Sequence, residues 1–262
     1  MRYLVFIFLS LYIISITGCS AKQESIKDEI VISKQENTNE EEVFLNEFEE
    51  EMEVSEISDP LSGYNRAMTN FNDKVYEYVI TPVSNGYKFA IHKEIRVSVH
   101  NFFHNIGYPI RLMNNLLQGK VLNSVDETGR FIINSTVGVL GLFDPAKSYF
   151  NIEKHNEDFG QTLGYYGVGG GPHIVLPFFG PSNLRDLVGR YPDFLVNPVE
   201  YRDERSYNLT SDYSESLLVG GYDRINSISL NNQYEKIKKD AIDLYPYLRD
   251  MYEQYRVKQI KE

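Results

Sequence analysis

The chain contains no tryptophan and one cysteine, Cys19. A lone cysteine rules out an internal disulfide framework. The parts for nucleotide chemistry are also missing. The glycine run Gly167-Val168-Gly169-Gly170-Gly171 is followed by Pro172, not by Lys-Ser or Lys-Thr, so it is no Walker phosphate loop. No Gly-x-Ser-x-Gly elbow offers a hydrolase nucleophile. His100 and His104 stand four residues apart, a spacing that can hold zinc, but Asn101 follows His100 where a metalloprotease helix needs Glu. Ordinary helical histidines account for the pair. Basic residues are scattered among acids, without the basic face that nucleic acid requires. Charge itself is absent from Phe159 to Leu184, although 24% of the chain is charged. Seven glycines and three prolines break that stretch too often for a spanning helix.

What is present begins at the N-terminus. Met1-Arg2 gives a minimal positive start, and Tyr3 to Ile16 is a mostly apolar run of 14 residues. A transmembrane helix needs about 20 such residues, whereas a signal-peptide core is this short. Ile16-Thr17-Gly18-Cys19 then resembles a bacterial lipobox, which predicts cleavage after residue 18 and acylation of Cys19. Each buried methylene contributes about 0.8 kcal/mol, so two or more acyl chains anchor firmly. Ser20 at the next position points to the outer membrane.

The net charge of −11 is not spread evenly. Residues 22–59 hold 14 acidic and 3 basic side chains; residues 60–262 hold 23 and 22. The acidity therefore belongs to a tether, residues 19–58, too polar to offset its ordering entropy. As a coil it spans roughly 35 Å. The domain proper, residues 59–262, is nearly neutral and long enough to bury a core.

Within it, apolar residues recur at helical spacing. Tyr64, Met68, Phe71, Val75 and Tyr78 predict a helix ending before Pro82. Ile95, Val99, Phe102 and Ile106 predict a second, stopped by Gly107 and Pro109. Ile110, Met113 and Leu117 predict a third, closed by Gly119. Val121, Val125, Thr128 and Ile132 begin a fourth, which runs into the uncharged Phe131 to Phe143, broken by Gly138 and Gly141. That segment suits a re-entrant helical hairpin in a membrane and a buried hairpin in a core equally well. Further helical patterns cover Leu184 to Val188, Leu217 to Leu230, and a segment from Tyr234 through Tyr255. Period-2 alternation is absent, so the fold is expected to be mainly α.

Ordered blocks carry a resemblance. Asp59-Pro-Leu-Ser-Gly-Tyr-Asn-Arg66 with Met68-Thr-Asn-Phe-Asn72 comes first, then Asn101-Phe-Phe, Asn114-Asn-Leu-Leu-Gln-Gly119 and Arg130-Phe-Ile-Ile-Asn134-Ser-Thr-Val-Gly138. Gly141-Leu-Phe-Asp144, Phe159-Gly-Gln-Thr-Leu-Gly164-Tyr-Tyr-Gly-Val-Gly169, Pro172, Gly180-Pro181-Ser182 and Leu184-Arg185-Asp186 follow, and Tyr245-Pro-Tyr-Leu-Arg249-Asp-Met-Tyr252 closes the series. Together they resemble the MlaA/VacJ family of outer-membrane lipoproteins.

That resemblance implies amphipathic helices forming a ring-shaped domain embedded in the inner leaflet of the outer membrane, often beside a trimeric porin. It implies a phospholipid channel rather than an enzyme. An amphipathic pore would take phospholipids misplaced in the outer leaflet and pass them to a soluble periplasmic carrier, maintaining lipid asymmetry without a cofactor or a metal. On this footing Asn65, Asn70, Phe71 and Asn72 are candidates for the lipid passage. Asn134, Gly138 and Gly141 are candidates for a gating hairpin, and Gly164, Gly167, Gly169 and Pro172 mark the family's glycine-rich segment. The tether departs from the family pattern, in which the Asp-Pro-Leu signature usually comes soon after the acylated Cys. A scaffolding lipoprotein and a lipid-modifying hydrolase are the alternatives.

Overall fold

The computed structural model describes residues 59–202, 208–231 and 233–262. The signal segment, Cys19 and the acidic tether lie outside the described residues. Eleven helices and one hairpin occur among those described.

Helix α1, Ser62–Val75, does not stop before Pro82 as the apolar pattern predicts. A five-residue π-turn, Tyr76–Ile80, leads directly into α2, Thr81–Ala90. The Thr81 amide bonds the Tyr76 carbonyl five residues back. Pro82 then falls in the first turn of α2, where its missing N–H costs little. Helices α3, Lys93–Ile106, and α4, Tyr108–Leu117, meet at Gly107, and Pro109 opens α4. Helix α5 runs from Val121 to Thr136.

After Thr136 the chain folds back, with the helix as one arm and consecutive turns as the other. The Gly141 amide bonds the Asn134 carbonyl at 2.8 Å, and the Phe143 amide bonds Gly138. Val139 and Leu140 take left-handed backbone, φ 53° and 59°, which a β-branched residue rarely adopts. A second helical arm is therefore not formed. Gly138 is required there, because a Cβ would lie 2.5 Å from the Asn134 carbonyl oxygen.

Four later helices begin at side-chain caps, in which an Asx oxygen accepts an otherwise orphaned amide. Asp144 caps α6, Pro145–Phe150, and Asp158 caps α7, Phe159–Tyr165. Asn183 caps α8, Leu184–Val196, and Asp212 caps α9, Tyr213–Leu230. Between α7 and α8 lies an antiparallel hairpin, β1 His173–Leu176 and β2 Gly180–Asn183, with His173 opposite Asn183 and Leu176 opposite Gly180. The C-terminal pattern resolves into two helices, α10 Gln233–Asp240 and α11 Leu244–Lys261. Pro246 sits in the first turn of α11, so the break precedes it, and Ile242 in the break is fully exposed.

Helix α8 packs on α7, α4 on α5, α9 against α2 and α3, and α11 on α7. One apolar cluster joins α10 to α11, with Ile237 and Tyr247 at its centre and Leu244, Leu248 and Met251 around them. No helix among the described residues is long and apolar enough to cross a membrane.

Candidate functional site

The helices are amphipathic, but their polar faces are the buried ones. Helix α5 buries Ser124, Glu127, Arg130 and Asn134 at helical spacing, and exposes Val121, Leu122, Val125 and Ile132. Helix α4 and its end bury Arg111, Asn114, Asn115 and Gln118 while Leu116 and Leu117 face outward. Helix α8 buries Arg185, Asp186 and Gly189, and leaves Leu184, Val188 and Tyr191 exposed. Among the described residues the buried hydrophobic side chains are only Val99, Ala146, Val175, Ile237, Tyr245 and Tyr247. A chain folded against water alone buries its methylenes first, so this inversion is the informative observation.

Such an interior must satisfy its polar groups internally. Arg111 Nε donates to Glu127 Oε2 at 2.6 Å, and the other carboxylate oxygen of Glu127 accepts the His155 amide at 2.8 Å. Arg111 also donates to the His104 carbonyl at 2.7 Å. One helical turn on, Arg130 donates to both oxygens of Asp144, at 2.9 and 2.7 Å, and to the Ile152 carbonyl. Burial alone would raise the Asp144 carboxyl, but the Arg130 hydrogen bonds and charge, with Asn134, hold it below the usual range. Lys154 stands near this group. Burial, with the Arg130 and Arg111 charges, lowers it against the opposing pull of Asp144.

A second centre gathers on Arg256 of α11. Its guanidinium donates to Asp158 at 2.7 and 2.8 Å and to Asp186 at 2.9 and 3.0 Å. Asp186 also accepts from Arg185 at 2.9 Å and from the Tyr252 hydroxyl at 2.6 Å. Burial opposes ionisation of Asp158 and Asp186, yet these partners lower both carboxyls. Asp193 behaves oppositely. Burial pushes it up to about 6, although the Phe159 amide and the Asn114 side chain both donate to it.

Each sequence-selected residue can now be placed. Asn65 is fully buried and locks α1 to the hairpin. Its amide donates to the His173 carbonyl at 3.0 Å and the Tyr245 hydroxyl at 3.1 Å, and its oxygen accepts the Val175 amide at 2.9 Å. Asn72 does the same one hairpin turn on, donating to the Leu176 carbonyl at 2.9 Å and accepting the Phe178 amide at 2.7 Å. Asn70 is exposed, and Phe71 stands edge-on to Phe178 with ring centroids 5.2 Å apart. Asn134 is buried, donating to Asp144 at 3.0 Å and accepting the Ala146 amide at 3.1 Å. Gly141, φ 89°, lies so close to Asn105 that a Cβ would come within 2.5 Å of it. Gly164 is pressed similarly against Ile260. Gly167 and Gly169 face open space, and the Pro172 carbonyl accepts the Leu184 amide at 3.2 Å. His100 meets the Ser227 hydroxyl at 3.4 Å and His104 meets Asn156 at 3.1 Å. Among the described residues no three His, Cys, Asp or Glu side chains are grouped to hold a metal.

Apolar periodicity did not single out Arg111, Glu127 or Arg256. Their signal lies in polar residues recurring at helical spacing opposite the apolar stripe, as at Ser124, Glu127, Arg130 and Asn134.

A family model described as MlaA lipoprotein matches residues 57–259. An uncharacterized protein of Rickettsia bellii (strain RML369-C) is 32% identical over 203 residues, 77% of this chain and 76% of that one. The intermembrane phospholipid transport system lipoprotein MlaA of Escherichia coli (strain K12) is 38% identical over 141 residues, so the match spans 52% of this chain and just over half, 55%, of that relative. A solved structure described as "Structural basis for maintenance of bacterial outer membrane lipid asymmetry" aligns with a TM-score of 0.64 and 28% identity, covering 78% of this chain and all of that one. With its family blocks in order and its fold shared, the chain belongs to the MlaA lipoprotein family.

Proposed function

We propose that the protein is an outer-membrane lipoprotein that removes phospholipid from the outer leaflet and hands it to a periplasmic carrier. The observation that carries this reading is the inversion of α4, α5 and α8, whose apolar faces are exposed over an ion-paired interior. Exposed apolar surface on that scale calls for a nonpolar neighbour, and lipid supplies one. Acylation at Cys19 would anchor the chain, with residues 19–58 as tether and residues 59–262 as the lipid-handling domain on the periplasmic-leaflet side. A trimeric porin is a further partner on this reading.

The test is a deletion strain in which phospholipid exposed at the cell surface is measured. Loss of the gene should raise it, and the full-length chain should restore it. Unchanged outer-leaflet composition would favour a scaffolding role. Release of fatty acid or head group from labelled phospholipid by the purified protein would make it a hydrolase.

A further inference from the structure

Two cations share one aromatic ring in this structure. The turn between β1 and β2 carries Phe178 and Phe179, both exposed. The guanidinium carbon of Arg190, from α8, lies 5.2 Å from the centroid of the Phe179 ring, and that of Arg224, from α9, lies 5.5 Å from it. Neither arginine has a carboxylate partner among the described residues. Arg224 donates only through Nη2, in long bonds of 3.2 and 3.4 Å to the Phe178 and Phe179 carbonyls. Asp223, next to it on α9, neutralises neither arginine, and burial pushes its carboxyl up to about 6.

Among the described residues four of the five buried arginines are paired with acids, and the fifth, Arg96, donates to the Ile91 and Ser229 carbonyls. Arg111, Arg130, Arg185 and Arg256 each meet a carboxylate. Arg190 and Arg224, both exposed, have the Phe179 ring as their shared neighbour in place of an acid. We propose that they form a subsite for the phosphodiester of a phospholipid head group. This rests on the lipid-transport reading and deepens it by naming where the head group is held.

Three features favour that ligand. A guanidinium presents a planar fork that matches phosphate oxygens, and two such groups stand within 5.5 Å of one ring centroid here. Both arginines are solvent-accessible, yet burial, followed by the Arg190 charge, lowers Arg224, so its charge is recessed but open. An anion there relieves the repulsion. The surroundings also suit acyl chains, since Phe178, Val188 and Tyr191 are exposed alongside.

The experiment uses the full-length protein in detergent, titrated with a fluorescent phosphatidylglycerol or with the matching fluorescent diacylglycerol, which lacks phosphate. Inorganic phosphate is the competitor. The double variant Arg190→Gln, Arg224→Gln should bind phosphatidylglycerol at least tenfold more weakly, with diacylglycerol binding and circular dichroism unchanged. Equal phosphatidylglycerol binding by variant and wild type overturns the subsite and leaves transport standing. Parallel weakening of both lipids also overturns it, because the arginines would then hold the fold. Displacement of the lipid by equimolar inorganic phosphate makes it a free-phosphate site and overturns the head-group assignment. Wild type that binds neither lipid defeats the transport reading itself.

Discussion

Neutralising Glu127 measures how far the polar interior holds the fold together. Its side chain is fully buried, and Arg111, 9% exposed, meets it at 2.6 Å. Glu127→Gln keeps the shape and an acceptor for the His155 amide but leaves the Arg111 cation buried without a counter-charge. Breaking a buried pair in this way costs about 3–5 kcal/mol. Burial already lowers Arg111, and Glu127 is the main group opposing that. For a domain of this size 1 kcal/mol shifts the midpoint by about 2–4 °C, so thermal unfolding should fall by about 6–20 °C. Arg111→Met should cost a similar amount. The double variant Arg111→Met, Glu127→Gln removes both charges, and its loss should be smaller than the sum of the two single losses by about 1–3 kcal/mol. Far-UV circular dichroism of the full-length chain in detergent reads all four melts. Strictly additive losses, or a Glu127→Gln midpoint within 2 °C of wild type, near the roughly 0.5 kcal/mol scatter of surface substitutions, would refute the view that paired charge substitutes for an apolar core.

Other expectations follow from the same geometry. Asp144, Asp158 and Asp186 have lowered carboxyls, so their stabilisation is complete above the ordinary value near 3.8 and lost as pH falls through the lowered ones. Asp193 and Asp223 are raised to about 6, and favour the folded state as pH falls from above 6 toward 4. Unfolding midpoints should therefore rise slightly from pH 7 to about 5 and drop steeply below pH 4, with Asp193→Asn flattening the rise. Gly141→Ala should destabilise far more than Gly167→Ala, since both have positive φ but only Gly141 is crowded, by Asn105; equal melting shifts would contradict this. Leu122→Asn, on the exposed face of α5, should change stability by no more than about 0.5 kcal/mol while weakening sedimentation with phospholipid vesicles.

Helix existence was legible because apolar spacing reports the period of a helix. The side it buries was not. Val121, Val125 and Ile132 locate α5 equally well whether they are buried or exposed, and it is the burial of Glu127 and Arg130 that turns them outward. Asn65 and Asn72 illustrate a second limit. Their partners, His173, Val175, Leu176 and Phe178, lie over 100 residues away, so nothing local marked them as clamps on a hairpin. The hairpin itself went unseen because Leu176-Pro177-Phe178-Phe179-Gly180-Pro181 lacks alternation and carries two prolines. At Pro82, proline was a poor stop signal because the π-turn placed it in a first turn, where it is tolerated.

An interior of guanidinium, carboxylate and amide groups has a thermal consequence. Unfolding in water raises heat capacity by about 0.45 cal/mol/K per Å² of apolar surface newly wetted and lowers it by about 0.26 per Å² of polar surface. Here the side chains that become wet are disproportionately polar, while Leu122, Val125 and Ile132 are outside already. The heat-capacity increment should fall below the roughly 12–15 cal/mol/K per residue of ordinary domains. Stability then varies little with temperature, and cooling, which weakens hydrophobic cores, has little to weaken in this one.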